Sequence, residues 1–168
     1  MSDLKFPKNF WWGAATSAPQ TEGASDVDGK SPSTWDQWFD LDPDKFDQHI
    51  GPKDTSCVYE HYKEDVKRMQ ETNLNSFRTS IAWTRLLPDG KTVNEKAVSY
   101  YRDYFQAMKD ANITPIVNLF HFDMPWWQME NGGWLDYEIT NHFAHYAKMA
   151  VSLFGDIVEH WVTFNEPI

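Results

Sequence analysis

Four short runs of apolar, β-branched and aromatic residues alternate with three amphipathic stretches, and this alternation restricts the chain to parallel α/β architectures. The runs Phe10–Ala15, Ser76–Trp83, Thr114–Phe120 and His160–Asn165 read as strands. Gly13 in the first allows close backbone approach. Between strands one and two, Val58, Tyr62, Val66 and Met69 form a helical stripe ending near Thr72. A second helix is expected after Asn94 as N-cap, with Ala97, Tyr101, Tyr104, Phe105 and Met108 inward and an end near Asn112. A third is expected after Asp136, with Ile139, Phe143, Tyr146, Ala147, Ala150 and Phe154 inward and Gly155 as the stop. Two long segments interrupt the pattern. Thr16 to about Thr55 holds Trp35 and Trp38, has no clear helical period, and follows a first strand as an active-site wall would. The other runs from the third strand to Leu135, with Trp126, Trp127 and Trp134.

Two sheet arrangements satisfy this order. A doubly wound sheet is one, although no Gly-rich phosphate loop follows the first strand. The other is a (β/α)8 barrel, which gathers functional groups at the C-terminal ends of several strands. Gln20 lies just beyond strand one, Arg78 on strand two, His121 at the end of strand three, and Asn165 and Glu166 at the end of strand four. That distribution favours the barrel. A closed barrel needs about 200 residues at minimum, so residues 1–168 are expected to form one incomplete TIM-barrel domain, strands one to four without the C-terminal half. Strands one and four would be unpaired edges, which predicts self-association or partial disorder.

Composition excludes several classes of partner. A net charge of −10 argues against nucleic acid and against an anionic membrane surface. A single cysteine, Cys57, permits no internal disulfide and fits a reducing compartment. Met1–Lys5 holds no apolar signal core, and no apolar run approaches the ~18 residues of a membrane span. Cytoplasmic is therefore the expected location. No His, Cys or carboxylate set has metal-site spacing, and neither a metal nor a cofactor is expected. The nine Trp suit a core, but their flat faces and N–H donors suit a sugar equally.

Chemistry concentrates in Trp161–Ile168, an apolar run that carries Asn165 and Glu166 and is stopped by Pro167. Pro167 biases Glu166 toward an extended backbone. A carboxyl at the mouth of a hydrophobic strand is partly desolvated, which raises its pKa and suits a general acid. A plain polar turn is the competing reading.

Thr163-Phe164-Asn165-Glu166-Pro167 resembles the acid/base motif of glycoside hydrolase family one, the β-glucosidase and 6-phospho-β-glucosidase family. Phe6–Ala18 with Gln20, Glu22 and Gly23, then Ser76–Arg85, then Asn118–Pro125 resemble further motifs of that family in its own order. The resemblance implies a TIM barrel and a retaining β-glycosidase. It makes Glu166 the acid/base, sets Gln20, His121 and Asn165 against sugar hydroxyls, and puts Arg78 beside the nucleophile. The nucleophile itself is a second Glu on strand seven of the family, and no Thr-Glu-Asn-Gly segment occurs in this chain. Without the resemblance, Gln20 and Asn165 read as turn caps, His121 as a core histidine, and Arg78 as half of a buried ion pair. Glu22, Asp123 and Glu130 read as solvated loop carboxylates, and His61, His142, His145 and His160 as structural or surface groups. His121-Phe122-Asp123-Met124-Pro125, with Ala18–Gly23 upstream, is similar to bacterial 6-phospho-β-glucosidases, where many β-glucosidases carry Trp and Leu. A phosphorylated β-glucoside is the expected substrate and small-molecule partner. A non-phosphorylated β-glucosidase, a sugar-binding half-barrel without catalysis, and a split enzyme completed by a second chain are the alternatives. Alone, the chain is expected to be inactive.

Overall fold

The structure, a computed structural model, describes residues 5–167. Four strands, β1 (Gly13–Ala15), β2 (Ser76–Ser80), β3 (Thr114–Phe120) and β4 (His160–Phe164), form one sheet in the order β1-β2-β3-β4, with every pair parallel. Helices α1 (Ala18–Thr21) and α2 (Thr34–Leu41) lie between β1 and β2, followed by α3 (Val58–Glu71). After β2 come α4 (Trp83–Leu86) and α5 (Glu95–Asp110), and after β3 come α6 (Trp126–Glu130) and α7 (Ile139–Phe154). A doubly wound sheet reverses its strand order at a switch point. This sheet does not reverse, and successive strands add to one side only, as in half of a (β/α)8 barrel. β1 and β4 are the outer strands among the described residues.

The register at β1 depends on Gly13. It sits opposite Ser76, and a Cβ there would lie 2.5 Å from the Ser76 carbonyl oxygen. That oxygen belongs to the backbone of β2 and cannot swing away as a side chain could. Gly13→Ala is expected to destabilise the chain by about 1–3 kcal/mol, read as a lower urea midpoint; an unchanged midpoint would mean that β1 relaxes at no cost.

The core joins strand and helix residues in one continuous cluster. Phe77, Val117 and Leu119 from the strands meet Tyr101, Phe105 and Met108 of α5 and Tyr146, Ala150 and Phe154 of α7. The Tyr146 hydroxyl lies 2.9 Å from the carbonyl oxygens of both Ile81 and Leu119, tying α7 to the ends of β2 and β3. Asn94 caps α5, its side chain accepting from the Lys96 N–H.

Several expected boundaries move. Phe10–Trp12 precede the first strand; Phe6, Phe10 and Trp12 form an exposed aromatic cluster with ring centroids 4.7 Å apart. The second strand stops at Ser80, because the chain turns at Ala82 into α4. Residues 16–55 are not a structureless loop: they hold α1, α2 and two 3-10 turns. Helix α2 begins with a capping box, Ser33 accepting from the Asp36 N–H while the Asp36 carboxylate accepts from the Ser33 N–H. The segment before Leu135 likewise holds α6 and a 3-10 turn. Asp136 caps a turn rather than α7, accepting from the Glu138 N–H. Gly155 ends α7 in right-handed backbone, and its Cβ would sit 2.6 Å from the Val151 carbonyl oxygen. Close packing, not a left-handed turn, requires the glycine there.

Candidate active site

The five residues singled out from the sequence, Gln20, Arg78, His121, Asn165 and Glu166, line one open cleft together with Ala15, Thr16 and Phe122. Each arrives there through its strand. The turn after β1 leads into α1, whose Ala18 N–H donates to Ser80 Oγ at 2.7 Å. Ser17 Oγ donates to Gln20 Oε1 at 2.6 Å, which leaves the Gln20 amide NH2 as a donor for the cleft. Arg78 is the middle residue of β2. His121 follows β3 directly, and Asn165 follows β4, with its N–H donating to the Phe120 carbonyl at 3.0 Å.

The cleft is a connected polar network. Arg78 Nη2 donates to Asn165 Oδ1 and faces His121 Nδ1 at 3.5 Å. Asn118 Nδ2 lies 3.1 Å from the same histidine nitrogen. No carboxylate pairs with Arg78 among the described residues, and its Nε is buried without a partner. The guanidinium is thus an uncompensated charge facing a cleft, a place suited to an anion or a carboxylate. The ion pair that a purely structural Arg78 would need is not among the described residues.

Burial, and then the Arg78 charge, pushes the His121 imidazole down to about 4, from an ordinary 6.5. Its folded form therefore binds a proton more weakly than the unfolded chain does. The resulting stability is complete above about pH 6.5 and is lost as the pH falls toward 4. Urea midpoints measured from pH 7 to pH 4 are expected to decline through that window, with His121→Asn declining less; equal declines would remove His121 as a cause.

Glu166 departs from two expectations. Its side chain is exposed, so residues 5–167 do not supply the desolvation inferred from its position on a hydrophobic strand. Its backbone is left-handed, with φ of 47°, not extended as the following proline favours. Asn165 is held at both its N–H and its side chain, so the chain must turn within one residue. Left-handed backbone at a non-glycine costs about 1–3 kcal/mol and clusters at functional sites. Phe122, beside His121, is also left-handed, at φ of 73°. Phe120, Phe122, Trp134 and Phe164 form an aromatic wall next to Asn165 and Glu166.

The loop carboxylates Glu22 and Asp123 are not solvated. Glu22 is buried, with Oε2 3.0 Å from Arg85 Nε and Oε1 accepting from the Tyr101 hydroxyl at 2.6 Å. Asp123 is 3% exposed, and burial holds its carboxyl well above the usual range. Only Glu130 is exposed as expected, on α6. None of the three lines the cleft, where Glu166 is the one carboxylate among the described residues. Arg85, a charge embedded in the apolar stretch Ile81–Leu87, signals a buried acidic partner in the sequence but not which carboxylate supplies it. His61, His142, His145 and His160 also lie outside the cleft; His160 stacks edge-on with Trp11 and His142 bonds to Gln128. Among the described residues no group of three or more His, Cys, Asp or Glu could hold a metal ion, and no helix is long and apolar enough to cross a membrane.

The family model for glycosyl hydrolase family 1 matches residues 2–168. The chain is 47% identical to 6-phospho-beta-glucosidase GmuD of Bacillus subtilis, over 98% of its own length and 36% of that protein's. It is 38% identical to beta-glucosidase A of Acetivibrio thermocellus, over 99% of this chain and 37% of that one. Among solved structures, aphid myrosinase superposes with a TM-score of 0.95 at 34% identity, over 98% of this chain and 36% of the myrosinase. A family 1 β-glucosidase from Thermotoga maritima superposes with a TM-score of 0.92 at 35% identity, over 97% of this chain and 37% of that one. The chain spans little more than a third of the length of these relatives. Strand order, the position of the cleft and the match across nearly every residue agree that the chain belongs to glycosyl hydrolase family 1.

Proposed function

We propose that residues 1–168 are the N-terminal half-barrel of a retaining β-glycosidase, and that Glu166 is its acid/base. The observation that carries this reading is the convergence of Gln20, Arg78, His121, Asn165 and Glu166, drawn from β2 and from the segments that follow β1, β3 and β4, on one cleft. Glu166 protonates the glycosidic oxygen as the aglycone leaves, then takes a proton from the attacking water. Gln20, His121 and Asn165 hold sugar hydroxyls, and the Asn165 contact strengthens in the transition state. Arg78 keeps a second carboxylate, contributed from outside these residues, ionised about 5–5.5 Å from Glu166, as the nucleophile. Carboxylates suffice for this chemistry, so no metal or cofactor is required.

The favoured substrate is a 6-phospho-β-glucoside. Support comes from the Phe122 and Met124 version of the third-strand motif and from the 47% identity to a 6-phospho-β-glucosidase. Phosphorylated sugars arise inside cells, which makes the cytoplasm the consistent location. Chromogenic β-glucosides with and without a 6-phosphate, offered to the complete enzyme, test the reading. Faster turnover of the phosphorylated substrate is expected. A preference for the plain glucoside moves the assignment to a β-glucosidase, and turnover of neither overturns the hydrolase.

A catalytically incompetent sugar-binding half-barrel is the second reading, favoured by the single carboxylate in the cleft. It applies to the chain on its own. In that state the outer strands β1 and β4, with Trp11 and Trp12 47% and 49% exposed beside β1, are open to pairing with a second copy. Sedimentation of the 168-residue chain is expected to show dimers or larger species; a monodisperse monomer that melts cooperatively would contradict that.

A further inference from the structure

We infer that Asn118 is a positioning residue that, together with Arg78, fixes which nitrogen of His121 carries the proton, and so makes His121 a hydrogen-bond donor to the sugar. This rests on the reading of the cleft as a glycoside site. Asn118 lies on β3, fully buried, three residues before His121. Its Nδ2 is 3.1 Å from His121 Nδ1, and Arg78 Nη2 approaches the same atom at 3.5 Å. A guanidinium can only donate. Nδ1 must therefore accept, and a neutral imidazole that accepts at Nδ1 carries its proton on Nε2. Turning the Asn118 amide over would require a proton on Nδ1, and that proton would point at the Arg78 N–H. With Nδ1 occupied, Nε2 is the polar atom that His121 has left for the cleft it lines.

The assignment matters because a sugar hydroxyl can donate or accept, and its partners decide which. Glu166, when ionised, only accepts, whereas Arg78 and the Gln20 amide NH2 donate. A donating His121 leaves the hydroxyl proton free for an acceptor elsewhere. Asn118 never touches the sugar in this scheme; it acts through the imidazole. The charged groups around that ring are Arg78 from β2 and Glu166 from the end of β4, which both line the cleft.

Nitrogen-15 spectra of the imidazoles, with the His121 signals assigned by their loss in His121→Asn, read the tautomer directly and require no turnover. The Nε2–H form is expected, with a titration midpoint at about 4. A predominant Nδ1–H form in the unaltered protein would overturn the inference. Asn118→Leu removes the closer donor and keeps the volume; only Arg78 at 3.5 Å, already donating to Asn165, then faces Nδ1, and some Nδ1–H form should appear. Asn118→Asp, which keeps the shape, places a carboxylate against Nδ1 and should convert His121 to the Nδ1–H form and raise its titration midpoint. If neither variant moved the tautomer, Asn118 would be filling space only. Binding of a glucose-configured iminosugar to the complete enzyme is expected to weaken about tenfold in each, the loss of one hydrogen bond. Unchanged binding alongside a switched tautomer would overturn the donor role at the sugar. Failure of the hydrolysis assay would leave these spectra unaffected, so the two readings fail separately.

Discussion

Glu166→Gln is expected to lower turnover of a β-glycoside with a poorly activated leaving group by about 10²–10⁴-fold, the span that general acid catalysis commands. The amide keeps the size and one acceptor oxygen of the carboxyl but has no proton to give. An activated leaving group, such as a nitrophenolate, departs without that proton, so bond cleavage for such a substrate should fall far less. The second half-reaction separates the roles further. Water attacking the glycosyl-enzyme needs the carboxylate as base, and a small anionic nucleophile such as azide does not. Azide should therefore restore turnover of the activated substrate in Glu166→Gln. Equal losses for both leaving groups, with no rescue, would remove Glu166 from the acid/base role. The exposure of Glu166 bears on the same point: the apolar surroundings that tune such an acid are not supplied by residues 5–167. They would have to come with the second carboxylate.

Glu22→Ala is expected to destabilise the chain by about 3–5 kcal/mol, the usual cost of leaving one member of a buried ion pair behind. The Arg85 side chain is 0% exposed and that of Glu22 is 6% exposed. Arg85 lies 4.1 Å from the centre of the Tyr59 ring, and its Nη2 donates to the carbonyls of Gly23 and Ala24. One side chain thus fixes the turn after α1, close to Gln20. Domains of this size are stable by about 5–15 kcal/mol in total, so the loss would consume a large share. Replacing both partners by apolar residues, Glu22→Leu with Arg85→Met, should cost less than the sum of the single changes, because no charge is left stranded. Urea titrations of the two single variants and the double variant measure this. A loss under about 1 kcal/mol for Glu22→Ala would show that water reaches Arg85 and that the pair is ordinary surface.

The sequence was most legible where one local signal had no competitor. Thr114–Phe120 is almost wholly apolar, lies between Asn112 and His121, and is a strand to the residue. Helix α5 follows from its stripe and from Asn94. Helix α2 escaped notice because its apolar stripe, Trp35, Trp38 and Phe39, is short and packs on Phe46 of a neighbouring turn rather than on the core, within a segment rich in Asp, Ser, Gly and Pro. Its capping box was a better signal than its periodicity. The burial of Glu22 depends on Arg85, 63 residues away, and local sequence cannot weigh such a contact. At Glu166 a local rule was overruled. Pro167 favours extended backbone, but the pairing of Asn165 with Phe120 and Arg78 sets where the chain must turn. In the cleft, the family resemblance named Gln20, Arg78, His121, Asn165 and Glu166, where residue type alone read turn caps, a core histidine and an ion pair. The missing acidic partner of Arg78 was implied by the resemblance alone, and the structure agrees that no carboxylate pairs with it among the described residues.

A crystal structure of the complete enzyme with a glucose-configured iminosugar bound tests the account most directly. The sugar is expected in the cleft, with hydroxyls within hydrogen-bond distance of Gln20, His121 and Asn165. A second carboxylate should lie against Arg78, about 5–5.5 Å from Glu166 across the anomeric position. A sugar bound elsewhere, or no second carboxylate near Arg78, would contradict the retaining-glycosidase assignment. A separation of about 6.5–9.5 Å would make the enzyme inverting instead.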